Sequence, residues 1–145
     1  MILIVADTSG LLAALEAGHP DGPGAREALE RASVLVVSPV ILSELDHLAT
    51  RELGRRAATE AVDDLCRRVR AKRAELAQVT ATTVEQAQMV RAHYAALDLD
   101  LTDAVNVVLA RDYDTDTILT LDRRDFRAVV PLGPHKAFRL LPDDL

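Results

Sequence analysis

MILIVADTSGLLAAL, residues 1–15, begins with six apolar side chains and then meets Asp7. A short run this rich in β-branched residues, with no polar alternation, reads as a strand buried on both faces, the kind found in parallel sheets. From Ser9 onward the apolar spacing turns helical. The stretch therefore predicts a strand over Ile2–Ala6 and a helix over Ser9–Ala17, and a strand feeding a helix is the first half of a β-α-β unit.

The same alternation returns down the chain. Strands are predicted over Val34–Val37, Leu76–Thr80, Thr117–Leu121 and Ala137–Leu141. Helices are predicted over Gly24–Ala32, Pro39–Arg51, Arg55–Arg73, Val84–Leu97 and Thr102–Arg111, with a short helical turn after Asp122. Ser38 before Pro39 is a helix-start signal, because the hydroxyl caps free N–H groups and proline suits the first helical position. Thr82 with Glu85 reads as a capping box. The loops GHPDGPG (18–24) and PLGP (131–134) punctuate the chain, and no repeat or long linker divides its 145 residues. One α/β domain, residues 1–145, with a central, mostly parallel sheet of about five strands is expected.

Composition narrows the function. The lone cysteine, Cys66, rules out an internal disulfide and a cysteine-rich zinc site, and reads as a small core or semi-buried residue. No basic leader and no apolar stretch near membrane length is present, so a cytoplasmic protein without a membrane segment is expected. Aromatics are 3% of the chain, too few for a platform that stacks unpaired bases. The net charge of −6 disfavours a protein that coats nucleic acid. Residues 51–75 nevertheless carry eight bases against five acids, which is either a solvated helix face or a basic arm.

Four carboxylates stand out. Asp7 and Asp122 each close a predicted strand, and ligand-binding groups of open parallel sheets gather at the carboxyl ends of strands; both also read as ordinary helix caps. Glu44 falls, at 100° per residue, within the apolar stripe of Ile41, Leu45 and Leu48. A carboxylate there needs an arginine partner, a metal or a catalytic task. Asp103 sits in a first helical turn, where the helix dipole alone favours it, with Asp100 as the simpler cap. Four acids meeting in one crevice would repel one another unless a cation neutralised them. Oxygen-only donors select a hard cation, Mg²⁺ or Mn²⁺, able to activate water and stabilise charge on a phosphodiester.

These residues, in the segments VADTSGLLA, VVSPVILSELDHL, LDLDLTDAVNVVLA and ILTLDRRDF, resemble a PIN-domain ribonuclease of the VapC toxin type over essentially the whole chain. The resemblance implies an α/β/α sandwich and a divalent-metal-dependent endoribonuclease. It further implies a small VapB-type antitoxin as partner and a homodimer. By position it makes Asp7 and Asp103 the principal Mg²⁺ ligands, with Glu44 and Asp122 completing the site and Thr8 and Thr120 orienting them. Asp125 competes with Asp122 for the fourth place. Arg123, Arg124 and Arg127 adjoin that acid, and at least one is expected to hold an RNA phosphate, since guanidinium matches phosphate geometry. His19, His47, His93 and His135 lack ligand spacing. Neither phosphate-binding glycine motif occurs, and Ser9 stands where a haloacid-dehalogenase phosphatase needs a second acid. The alternative is a catalytically silent PIN-like module that binds RNA or protein without cutting.

Overall fold

The computed structural model describes residues 2–145. The chain runs β1 (Leu3–Ala6), α1 (Thr8–Leu15), α2 (Gly22–Arg31), β2 (Val34–Val37), α3 (Pro39–Leu53), α4 (Arg55–Arg70), β3 (Ala74–Leu76) and α5 (Ala81–His93). A 3-10 turn (Ala95–Leu97), α6 (Leu101–Asp112), β4 (Thr117–Leu119), α7 (Arg123–Ala128) and β5 (Arg139–Leu141) follow. The five strands lie in the order β3-β2-β1-β4-β5, and every pairing among the described residues is parallel. The expected mostly parallel sheet is thus parallel throughout.

Period two along β1 explains the two cores. Val5 joins Ile118, Val105, Val108 and Phe126 on the face covered by α5 and α6. Ile4 and Ala6 join Leu11, Leu35, Ile41 and Leu119 on the face covered by α1 to α3. Asp7 continues the extended backbone of β1, so it inherits the α6 side. The chain steps outward from β1 to β2 and β3 on one side and then crosses back to β4 on the other side of β1, a reversal that opens the crevice at the ends of β1 and β4.

Several boundaries differ from the sequence expectation. The third strand is Ala74–Leu76, not Leu76–Thr80. Lys72 takes a left-handed turn at φ 60 that stops α4 early, so the Arg73 carbonyl already accepts from Leu35 N–H. The capping box is Thr80 with Thr83 rather than Thr82 with Glu85, because Thr80 holds the extended backbone a cap requires. Strand β4 stops at Leu119, and the predicted helix to Leu97 breaks after His93 into the 3-10 turn. Cys66 is exposed on α4, not part of the core.

Ser38 and Pro39 do start α3, with Ser38 Oγ accepting from Val40 N–H at 3.1 Å. The short helix α7 is anchored by Phe126, fully buried and edge-on to Phe138 at 6.1 Å between ring centres. That anchor is what holds the acidic start of α7 against the sheet edge.

Candidate metal centre

Asp7 is the most firmly held of the acids. One carboxylate oxygen accepts from Thr8 N–H at 2.9 Å, and the other accepts from Thr120 Oγ1 at 2.7 Å and Ser9 Oγ at 3.1 Å. Ser9 Oγ also accepts from Leu121 N–H at 2.9 Å, tying α1 to the end of β4. Burial raises the Asp7 pKa despite these bonds, with Asp122 adding repulsion.

Asp103 faces it from the first turn of α6. Its N–H donates to the N-cap Asp100 at 2.8 Å, so Asp100 is the cap the sequence suggested. Asp103 is 8% exposed, and its carboxyl is pushed up to about 8 by burial first, then by repulsion from Asp7, Asp100 and Asp122.

Asp122 caps α7, accepting from Asp125 N–H at 3.5 Å, while its own N–H donates to Thr120 Oγ1 at 2.9 Å. Asp125 lies in the first turn of α7, its pKa raised by burial and by Asp122, against a lowering from Arg124. One carboxylate oxygen from each of Asp103, Asp122 and Asp125 falls within 4.8 Å of the others. Both contenders for the fourth acid are therefore at the site.

Glu44 is placed differently. It is half-buried beside buried Ile41 and Leu45, yet makes no hydrogen bond or ion pair among the described residues and lies outside the three-carboxylate cluster. The arginine partner that was one of its readings is absent among those residues. Thr120 donates its hydroxyl to Asp7, whereas Thr8 reaches it only through its main-chain N–H, its hydroxyl being buried without a hydrogen-bond partner among the described residues.

Two contributors were not anticipated. Ser9 lies two residues after Asp7, close enough for a short hydroxyl to reach back to it. Asn106, fully buried in α6, donates its side-chain amide to the Ala6 carbonyl at 3.1 Å. A single polar residue inside AVNVV was the sequence signal for it.

The three neighbouring arginines separate. Arg123 pairs with Asp143 at 2.9 Å and Asp21 at 3.2 Å, and Arg127 grips Asp144 through two bonds of 2.8 Å. Arg124 is exposed and makes no ion pair among the described residues. On α4, Arg56 pairs with Glu60, and Arg67 and Arg68 pair with Asp64, as on a solvated helix face.

The donor set fits a hard divalent cation. Its oxygens converge without any lysine or arginine bonded to them among the described residues, and burial with the neighbouring acids disfavours the charged form of Asp103, which a cation would favour.

Residues 4–130 match the PIN domain family. Ribonuclease VapC26 of Mycobacterium tuberculosis is 39% identical over 140 residues, 96% of this chain and 100% of that protein. The crystal structure of M. tuberculosis VapC20, a sarcin-ricin loop cleaving toxin, superposes with a TM-score of 0.72 at 24% identity, covering 83% of this chain and 91% of its own. VapBC2 from Rickettsia felis, bound to a promoter DNA fragment, gives 0.67 at 15% identity over 96% and 98% of the two chains. The strand order, the acids at the ends of β1 and β4 and this relatedness agree: the chain belongs to the PIN-domain family, among the VapC ribonucleases.

Proposed function

We propose that this protein, as one PIN-like domain over residues 1–145, is a Mg²⁺-dependent endoribonuclease serving as the toxin of a toxin-antitoxin pair. The observation that carries the reading is the convergence of Asp103, Asp122 and Asp125 beside buried Asp7, with no lysine or arginine bonded to them among the described residues. Asp7 and Asp103 are the principal ligands in this reading, with Asp122 and Asp125 on the α7 side and Glu44 an outer acid. Mn²⁺ is the natural substitute, since both ions prefer oxygen donors in octahedral geometry. When bound, such an ion stabilises charge on the scissile phosphate and lowers the pKa of an attacking water.

The chain's own residues do the positioning. Thr120 and Ser9 fix the Asp7 carboxylate, so no reorganisation is needed when the site fills. Asp103 would hold the ion in its ionised form, the positive charge offsetting the burial that favours its proton. Arg124, the unengaged arginine of its trio, holds an RNA phosphate; Arg123 and Arg127 hold the fold.

The antitoxin partner draws support from two surfaces. An arginine of a basic partner entering the acidic crevice would displace metal and substrate together. A separate, small apolar pocket of about 60 Å³ between α1, α2, α3 and α4, lined by Leu11, Leu15, Leu29, Leu45 and Leu65 together with Asp64 and Arg68, has room for one apolar anchor side chain of such a partner. No described helix is long and apolar enough to cross a membrane, in keeping with action on cytoplasmic RNA.

Purified protein incubated with total RNA and Mg²⁺ or Mn²⁺ is expected to release discrete fragments. EDTA or Asp7→Asn abolishes them. Metal binding without any cleavage, in protein freed of antitoxin, would instead establish the silent binding module.

A further inference from the structure

We infer that Asn106 is a positioning residue of the carboxylate site, its amide clamping α6 to the end of β1 and so setting the separation of Asp103 from Asp7. The inference rests on the proposed metal site.

Asn106 stands where an amide is out of place. Every other residue from Ala104 to Ala110 is apolar and buried, and Asn106 is itself 0% exposed. Its Nδ2 donates to the Ala6 carbonyl at 3.1 Å, while its Oδ1 has no partner among the described residues. A buried acceptor left unpaired works against folding, so stability alone would favour a leucine of similar size here.

The one bond it makes joins two particular points. Ala6 directly precedes Asp7. Asp103 lies three residues before Asn106, on the same side of the helix. The amide therefore connects the backbone segments that carry the two most buried acids of the site. Elsewhere α6 packs on the sheet through apolar side chains such as Val105, Val108 and Leu109. A side-chain bond to the main chain holds a defined distance where apolar packing allows sliding.

The experiment compares Mn²⁺ binding isotherms of the wild type, Asn106→Leu and Asn106→Ser with thermal unfolding of each in EDTA. Asn106→Leu is expected to bind Mn²⁺ about 10- to 100-fold more weakly, the usual cost of losing an outer-shell partner, with an unfolding temperature in EDTA equal to or above wild type. Asn106→Ser, whose hydroxyl stops short of Ala6, should weaken binding as well. Wild-type affinity in Asn106→Leu overturns the inference. So does a fall in unfolding temperature that accompanies weakened binding in both variants, which makes Asn106 a folding residue. Wild-type protein that binds no Mn²⁺, or binds it equally after Asp103→Asn, strikes the metal site itself and the inference with it.

Discussion

Helix α7 separates two opposite uses of aspartate within a few residues. At its start, Asp122 and Asp125 meet Asp103 with no arginine bonded to any of them among the described residues, and the Asp103 carboxyl is pushed up to about 8. At its end, Arg127 takes Asp144 through a two-bond grip, Leu140 N–H adds a third bond, and the Asp144 carboxyl is held down at about 2. The residue type is the same; what differs is the supply of positive charge. Arg123 and Arg127 are spent on Asp21, Asp143 and Asp144. The crevice therefore keeps its charge deficit, which the proposed metal would relieve.

Asp103→Asn should break this contrast most severely. Loss of a ligand in the centre is expected to reduce cleavage by more than the ~100-fold that outer-shell losses reach. In EDTA the same variant should unfold at a higher temperature than wild type, because a neutral amide escapes both the burial penalty and the repulsion. Lost activity combined with lost metal-free stability would mean that the acid serves the fold.

Acidity sharpens the comparison from both ends. The folded protein keeps the Asp103 proton up to about 8, while the unfolded chain releases it near 3.8. Metal-free stability should therefore fall as pH rises between those values, since the folded state then binds more protons than the unfolded one. Asp144 acts with the opposite sign: its contribution is present above 3.8 and is lost as pH falls toward about 2. Mg²⁺ should reverse the alkaline loss, adding about 2.7 kcal/mol at a hundredfold excess over Kd. Unfolding temperatures at pH 5 and pH 8, in EDTA and in Mg²⁺, check the Asp103 sign and its reversal by metal, and a second pair at about pH 2 and pH 4 checks that of Asp144. A metal-free protein as stable at pH 8 as at pH 5 would remove Asp103 as the source.

Gly10 governs how the unpaired end is assembled. A β-carbon there would lie 2.6 Å from Leu119 Cγ and 2.8 Å from its carbonyl oxygen, so α1 packs against β4 only because the side chain is missing. Gly10→Ala should cost roughly 1–3 kcal/mol as an overpacked contact. It should lower Mn²⁺ affinity too, because Ser9 and Thr120 then no longer meet at Asp7. Wild-type melting and binding would show that the helix yields without disturbing the acids.

How much of this was legible in sequence depends on what formed each feature. The buried strands β1 and β2, the Ser38–Pro39 helix start and the placement of Asp7 and Asp122 at strand ends follow from local chemistry, and local patterns report them. Strand β3 does not: two of its three residues are exposed, and pairing with β2 creates it. Asp125 could be named as a contender but not placed, because its approach to Asp103 depends on Phe126 anchoring α7. Glu44 was read from its helical stripe and from resemblance, and neither says how far α3 stands from α6. Ser9 and Asn106 act across 112 and 100 residues of chain, distances over which periodicity carries no signal.

The smallest expected effect divides α7 itself. Arg127→Ala removes a two-bond grip between partly exposed groups, worth about 1 kcal/mol or less, and should leave RNA cleavage unchanged. Arg124→Ala should do the reverse. With no ion pair to lose among the described residues, it should leave the melting temperature alone while weakening RNA binding and reducing the salt dependence of that binding by about one phosphate contact. Binding measured across a salt series for both variants reads the division directly. If the two arginines behave alike, the helix has no paired and unpaired ends, and the charge deficit at the crevice is not what receives the substrate. If they divide, three adjoining arginines of one type have been sorted by what each touches: two close the fold, and one is left facing the phosphate.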